Sequence, residues 1–233
     1  MKKDLTVLDN PIWNALDTVH QGFSTGNRVI KRYSAGTIPF MGMASPDGEL
    51  LRQIAPYFTA NEEVFLKDEL DFIPEEWEVL NKLNCLQMVY VPTLSTEVNM
   101  DAIIKLSAND AGELSRLVNL VQPGFFKERT SSLGDYYGIK KDGKLVAAAG
   151  ERFNLNGFTE LSAVCTHPDH TGNGYAQRLL NVLCNKNLEQ GNTPFLHVVD
   201  TNTRAIQIYE HLHFETRINF PLLKLKYMGS KLV

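Results

Sequence analysis

The sequence predicts an α/β chain built on a mixed sheet with helices on both faces, and three observations lead there. Short strand-like runs outnumber helical stretches. One of them, Phe158 to Thr166, passes through a glycine-bearing turn directly into a long amphipathic helix. A Lys141-Asp-Gly-Lys144 turn joins two apolar runs as a hairpin.

Taken in order, Asn10-Pro11 supplies a helix cap and first turn for the apolar positions Ile12, Trp13, Leu16 and Val19, closed by Gly22 and Gly26. Strand-like runs follow at Arg28 to Tyr33 and Phe40 to Ala44, then a helix over Gly48 to Ile54 and a strand at Val64 to Leu66. A helix over Pro74 to Leu83 and a strand over Leu86 to Val91 complete the front half. Pro92 to Asn99 reads as a linker, dividing the chain into domains at 1–95 and 100–233. From Ala102 the order is strand, helix (Asn109 to Val121), short helix (Phe125 to Thr130), and strands at Tyr136 to Lys140 and Leu145 to Phe153. After the glycine turn, Ala176, Leu179, Leu180, Leu183, Cys184 and Leu188 keep a helical period until Gly191. Phe195 to Val199 reads as a buried strand, Asn202 as the cap of the helix carrying Tyr209, and Asn219 to Tyr227 as a closing strand.

A chain of 233 residues, 43% hydrophobic and 21% charged, can bury a sizeable core. No apolar run reaches about 18 residues and no signal-like leader follows Met1, so a cytoplasmic protein without a membrane span is expected. Cys85, Cys165 and Cys184 lack paired spacing, which argues for reduced thiols and against a disulfide frame or zinc site. Residues 1–100 hold 8 Lys+Arg against 14 Asp+Glu, and the remainder 15 against 13. The acidic run Glu62 to Glu78 reads as a solvated face, and nucleic acid is excluded as a partner. His167 with His170, and His211 with His213, lack a third ligand at metal-binding spacing, so no metal is expected.

The chemistry is concentrated in Glu160 to Ala176, ELSAVCTHPDHTGNGYA. Gly172 and Gly174 can take positive φ and let a bulky anion approach, while the first amides of the following helix have no internal partner. Such a terminus binds phosphate through its backbone and its dipole. There is no GxxxxGK[ST] for a nucleoside triphosphate and no full GxGxxG for a dinucleotide.

Thr171-Gly-Asn-Gly-Tyr-Ala176 instead resembles the Q/R-x-x-G-x-G/A signature of the GNAT superfamily of acetyl-CoA-dependent N-acetyltransferases, with Thr at the Q/R place. Asn202 to Phe214 resembles that superfamily's N-x-x-A-x-x-x-Y-x-x-x-G-F pattern, with Asn202, Ala205, Tyr209 and Phe214 in register and His213 at the Gly place. That departure puts the usual left-handed helix end in question. The resemblance covers about Met100 to Tyr227 and implies a GNAT-like acyl-CoA N-acyltransferase fold, preceded by a worn half of the same fold that lacks a phosphate turn.

It also implies acetyl-CoA as co-substrate and an amine-bearing acceptor as partner. Val164, Cys165 and Thr166 would meet the pantetheine, Thr171 to Ala176 the pyrophosphate, and Asn202 the cofactor from the late helix. Glu160 would be the base that takes the amine proton, because a lysine-like ammonium is less than roughly 0.1% deprotonated at neutral pH. Tyr209 would give a proton to the leaving thiolate. Strand alternation puts Glu160, Ser162, Val164 and Thr166 on one face. A non-catalytic acyl-CoA sensor, a transferase of longer acyl groups, and a structural module with an empty cradle stay open, and the C-terminal strand offers an edge for a homodimer.

Overall fold

The computed structural model describes residues 3–67, 69–92 and 102–229. The linker expected at Pro92 to Asn99 falls almost wholly outside them. Described in chain order are α1 (Pro11–Asp17), β1 (Ser24–Gly26), β2 (Ile30–Tyr33), β3 (Phe40–Met43), α2 (Leu50–Ile54), β4 (Glu63–Lys67) and β5 (Trp77–Tyr90). Then follow β6 (Ile103–Lys105), α3 (Ala111–Val121), β7 (Tyr136–Lys141), β8 (Lys144–Leu155) and β9 (Phe158–Thr166). The chain continues through α4 (Tyr175–Glu189), β10 (Thr193–Val199), α5 (Thr203–His211) and β11 (Phe214–Tyr227). All the described strands join one mixed sheet in the order β1-β2-β3-β4-β11-β5-β10-β9-β8-β7-β6.

Helices cover both faces. Leu8, Ile12 and Leu16 pack with Tyr33, Phe40, Phe153 and Phe220 near the middle of the sheet, and Leu179, Leu180 and Leu183 of α4 pack with Leu161, Leu196 and Phe214. Leu114, Leu117 and Val118 of α3 seal Tyr136, Ala148 and Cys165. Leu51 and Ile54 of α2 close a further cluster with Met41, Trp77 and Leu225. The three cysteines are free and buried. Among the described residues no helix is long and apolar enough to cross a membrane.

Several local expectations are corrected. Residues 74–83 carry a proline start and apolar spacing suited to a helix, but from Trp77 they are strand, because β11 offers a ladder from Trp77↔Tyr227 to Tyr90↔Phe214. Tertiary pairing overrides local propensity there. The short helix over Phe125 to Thr130 does not form; a 3₁₀ turn follows at Thr130–Leu133. Asn10 makes no side-chain cap, and its Nδ2 donates instead to the Met43 carbonyl at 2.8 Å. Val19 lies exposed beyond the end of α1. The C-terminal strand is no edge, since β11 is paired with β4 on one side and β5 on the other. The 141–144 hairpin does turn through two positive-φ residues, Asp142 (50°) and Gly143 (77°).

Candidate active site

β9 and β10 run parallel but pair only from Thr193↔Phe158 to Phe195↔Glu160. Beyond that point β10 stays with β5 and β9 stays with β8, so the sheet parts between Leu161–Thr166 and Leu196–Val199. A bulge sits on the parting strand. Ala148 faces Cys165 and Gly150 faces Ser162, leaving Ala163 and Val164 opposite a single residue, with Ala163 at φ 53°. The bulge breaks the expected alternation: Leu161 and Val164 both pack towards α4 and α5, whereas Ala163 and Cys165 pack towards α3. Val164 and Thr166 therefore do not share a face with Glu160 and Ser162.

The parting opens into a cavity of about 310 Å³. Ser162, Ala163 and Val164 line it from β9, Val198 and Val199 from β10, and Asn202 and Tyr209 from α5. Asn202 accepts a hydrogen bond from the Ala205 amide at 3.2 Å, capping α5 as expected. Burial pushes the Tyr209 phenol up to about 12, which keeps its proton in place at neutral pH. Gln122, at the end of α3, donates to the Val164 carbonyl at 3.0 Å.

The phosphate turn follows β9. Gly172 and Gly174 take φ of 82° and 69°, and a side chain added at Gly172 would meet nothing within 4 Å, so the cradle is open. Gly174 is the N-cap of α4 and has no side-chain cap, which leaves the amides of Tyr175 and the next two residues without a helical acceptor. A pyrophosphate fits this arrangement. Thr171 Oγ donates to the Pro168 carbonyl at 3.2 Å and Asn173 Nδ2 to the His170 carbonyl at 2.9 Å, so these two side chains hold the turn in shape. His167 accepts from the Asp169 amide at 3.3 Å within the same turn, and no metal-binding cluster occurs among the described residues.

Glu160 lies elsewhere than a base at the cavity wall would. Its side chain is fully buried, and it accepts from Arg152 Nε at 2.7 Å and Nη2 at 2.6 Å and from His197 Nδ1 at 2.6 Å. Burial would raise its pKa, but the Arg152 charge and hydrogen bonds, reinforced by His197, hold it at about 2. So acidic a carboxylate is poorly matched to an ammonium whose own pKa is about 10, which argues against Glu160 as the base. Burial pushes the pKa of His197 down, which favours its neutral form. The hydrogen-bond network assigns its proton to Nδ1, with Nε2 accepting from Gln87 at 3.2 Å. Arg152 and His197 do line the cavity. Sequence reasoning passed over both; the available signal was an arginine and a histidine interrupting the apolar runs Leu145 to Phe153 and Phe195 to Val199.

A parted parallel strand pair, a bulge, a glycine cradle at a helix start and a phenol across the opening together define an acyl-transfer enzyme. Residues 136–220 match the model of the FR47-like protein family. A structure from Novosphingobium aromaticivorans, described as an acetyltransferase of the GNAT family, is similar with a TM-score of 0.84 and 27% identity, over 94% of this chain and 98% of that one. A GCN5-related N-acetyltransferase from Kribbella flavida matches in fold with a TM-score of 0.62 and 15% identity, over 100% and 98% of the two chains. A GCN5-related N-acetyltransferase-like protein from Streptococcus suis does so at 0.58 and 15%, over 93% and 92%. No curated protein matches the chain by sequence. The chain thus resembles the GCN5-related N-acetyltransferases (GNAT superfamily), in fold over nearly its whole length and in the family model over residues 136–220.

Proposed function

We propose that the protein moves the acetyl group of acetyl-CoA directly onto a primary amine, without a covalent enzyme intermediate. The observation that carries this reading is the parting of β9 from β10 beside the open cradle before α4. In this reading Gly172 to Ala176 bind the pyrophosphate through backbone amides. Val164, Cys165 and Thr166 offer strand backbone to the pantetheine arm, and Asn202 and Tyr209 face it from α5. The amine nitrogen bonds to the thioester carbonyl carbon, the carbon–sulfur bond breaks, and Tyr209 gives its proton to the sulfur and regains one from solvent, balancing the proton the amine releases.

The amine proton leaves to water. Arg152 is a cation on the cavity wall and no carboxylate lines that wall among the described residues, a setting that favours the free amine over ammonium. Glu160 then acts as a positioning residue through Arg152 and His197. Transfer should rise with pH towards the amine's own pKa. A kinetic pKa near 6 to 7 that disappears in E160Q would instead restore Glu160 as the base.

Residues 1–95 are read here as the worn half of the fold and 100–233 as the half that holds acetyl-CoA, working in the cytoplasm. Thermal unfolding with and without acetyl-CoA tests the reading. Ligand at about 100 times Kd adds roughly 2.7 kcal/mol, a rise of several degrees that G174V should abolish by placing a branched side chain at a left-handed position. An unmoved midpoint at millimolar acetyl-CoA would sink the proposal. Binding without transfer would leave an acyl-CoA sensor, and preference for a longer thioester, by about 0.8 kcal/mol per buried CH₂, would shift the donor.

A further inference from the structure

The wall of the 310 Å³ cavity has an unusual balance of charge. Among the described residues that line it there is no Asp or Glu, and Arg152 is the one permanently charged side chain. A guanidinium carries five N–H groups. Glu160 takes one from Nε and one from Nη2, and Nη1 has no protein acceptor among the described residues. The edge formed by Nη1 and Nη2 is thus open, and that edge matches a carboxylate in two parallel hydrogen bonds.

The guanidinium is also held rigidly. Its carbon lies 4.9 Å from the centre of the Phe40 ring and 4.8 Å from that of Phe153, while Glu160 fixes its other edge. A preorganised guanidinium, its side chain only 13% exposed, loses little freedom when it gains a second anion. Hydroxyls stand on the same wall: Tyr136 and Ser162 both line it, and neither has a protein hydrogen-bond partner among the described residues. The rest is apolar and aromatic, with Phe125 and Phe126 joining Phe40.

From this we infer that the acceptor is an amino acid with an apolar side chain, whose carboxylate is held by the Nη1–Nη2 edge of Arg152 and whose side chain lies against Phe40, Phe125 and Phe126. The inference rests on the acetyl-transfer reading and names its substrate class. An amine with no acid group would leave the open guanidinium edge unmet, and an acceptor bound through its ammonium would find no carboxylate on the wall.

Matched acceptors test it: phenylalanine against 2-phenylethylamine, and leucine against 3-methylbutylamine, each followed by CoA thiol release and by the acetylated product. The wild-type enzyme should show a KM on the order of 10- to 100-fold lower for the amino acid of each pair. R152K should raise that KM towards the value of the plain amine, so that the ratio of the two KM values falls towards one whatever happens to kcat for either. The paired change R152M/E160Q, which strands no buried charge, should do the same. Should neither variant fold, calorimetry of N-acetylphenylalanine against N-acetyl-2-phenylethylamine on the wild-type protein decides, with tighter binding of the acid expected.

Equal or better use of the plain amines overturns the carboxylate anchor and leaves the acetyltransferase intact. CoA release with neither series also overturns it, and the acetyl-CoA thermal shift then tells whether the acetyl-transfer reading falls with it.

Discussion

Glu160 and Arg152 are the residues in which the chemistry of the site and the stability of the fold meet. Breaking a buried ion pair by removing one charge costs about 3–5 kcal/mol, because the partner stays charged and desolvated. E160Q should therefore unfold at much lower urea than the wild type, with R152M/E160Q in between; an E160Q midpoint equal to wild type would mean that the pair is solvated. Tyr209 tests the opposite case, a residue with a chemical role and little structural one. Y209F keeps the ring against Phe214, whose centroid is 6.1 Å away, and removes only the proton donor. Its kcat should fall on the order of 100-fold while acetyl-CoA still raises the melting temperature. Unchanged turnover would assign the thiolate proton to solvent.

At the scale of elements, α5 ends in a way the residue types alone do not suggest. His213 occupies the left-handed position after the helix, at φ 64°, and its amide reaches the Glu210 carbonyl at 3.0 Å. The left-handed end is kept although the glycine is not, which corrects the expectation drawn from the motif. A side chain in that region costs roughly 1–2 kcal/mol, so H213G should stabilise the protein by up to about 1 kcal/mol, seen as a higher midpoint in urea. Destabilisation by H213G would show that the imidazole compensates for its backbone.

The same scale explains what could be read from the chain. Hairpins, the glycine cradle and the helices α3, α4 and α5 were legible because turn chemistry, capping and periodicity are local. Residues 77–83 were not, because their strand exists only against β11, well over a hundred residues later. Glu160 was found as a polar residue in the right strand, but its partners on β8 and β10 are set by register, and the bulge at Ala163 changes the parity that alternation assumes.

For the whole molecule, buried titratable groups set the acid limit, with His20 and Glu160 showing its two stages and His197 adding to the first. Burial lowers His20 from its ordinary 6.5 to about 4, so stability that is present above pH 6.5 is lost as pH falls from 6.5 to 4. Glu160, lowered from 4.5 to about 2, contributes stability present above pH 4.5 and lost as pH falls from there through 2. The Glu160 shift stabilises the fold by on the order of 3 kcal/mol at neutral pH, whereas the His20 shift costs a similar amount only once pH has fallen below about 4. Urea midpoints measured from pH 7.5 to 3 should thus decline in two stages, beginning below 6.5; a flat profile down to pH 5 would remove His20 from the account.

The position of β11 has a consequence for how the protein comes into being. Among the described residues it alone bonds β4 to β5, so without it the described strands form two separate sheets, β1 to β4 on one side and β5 with β6 to β10 on the other. Strand β5, drawn from the first ninety residues, lies between two strands made more than a hundred residues later. During synthesis on the ribosome its edges have to wait, uncovered, for nearly the whole chain to emerge. A nascent chain stalled before Phe214 would present unsatisfied strand edges, a natural substrate for chaperones, and its two parts could not be exchanged between relatives as independent modules.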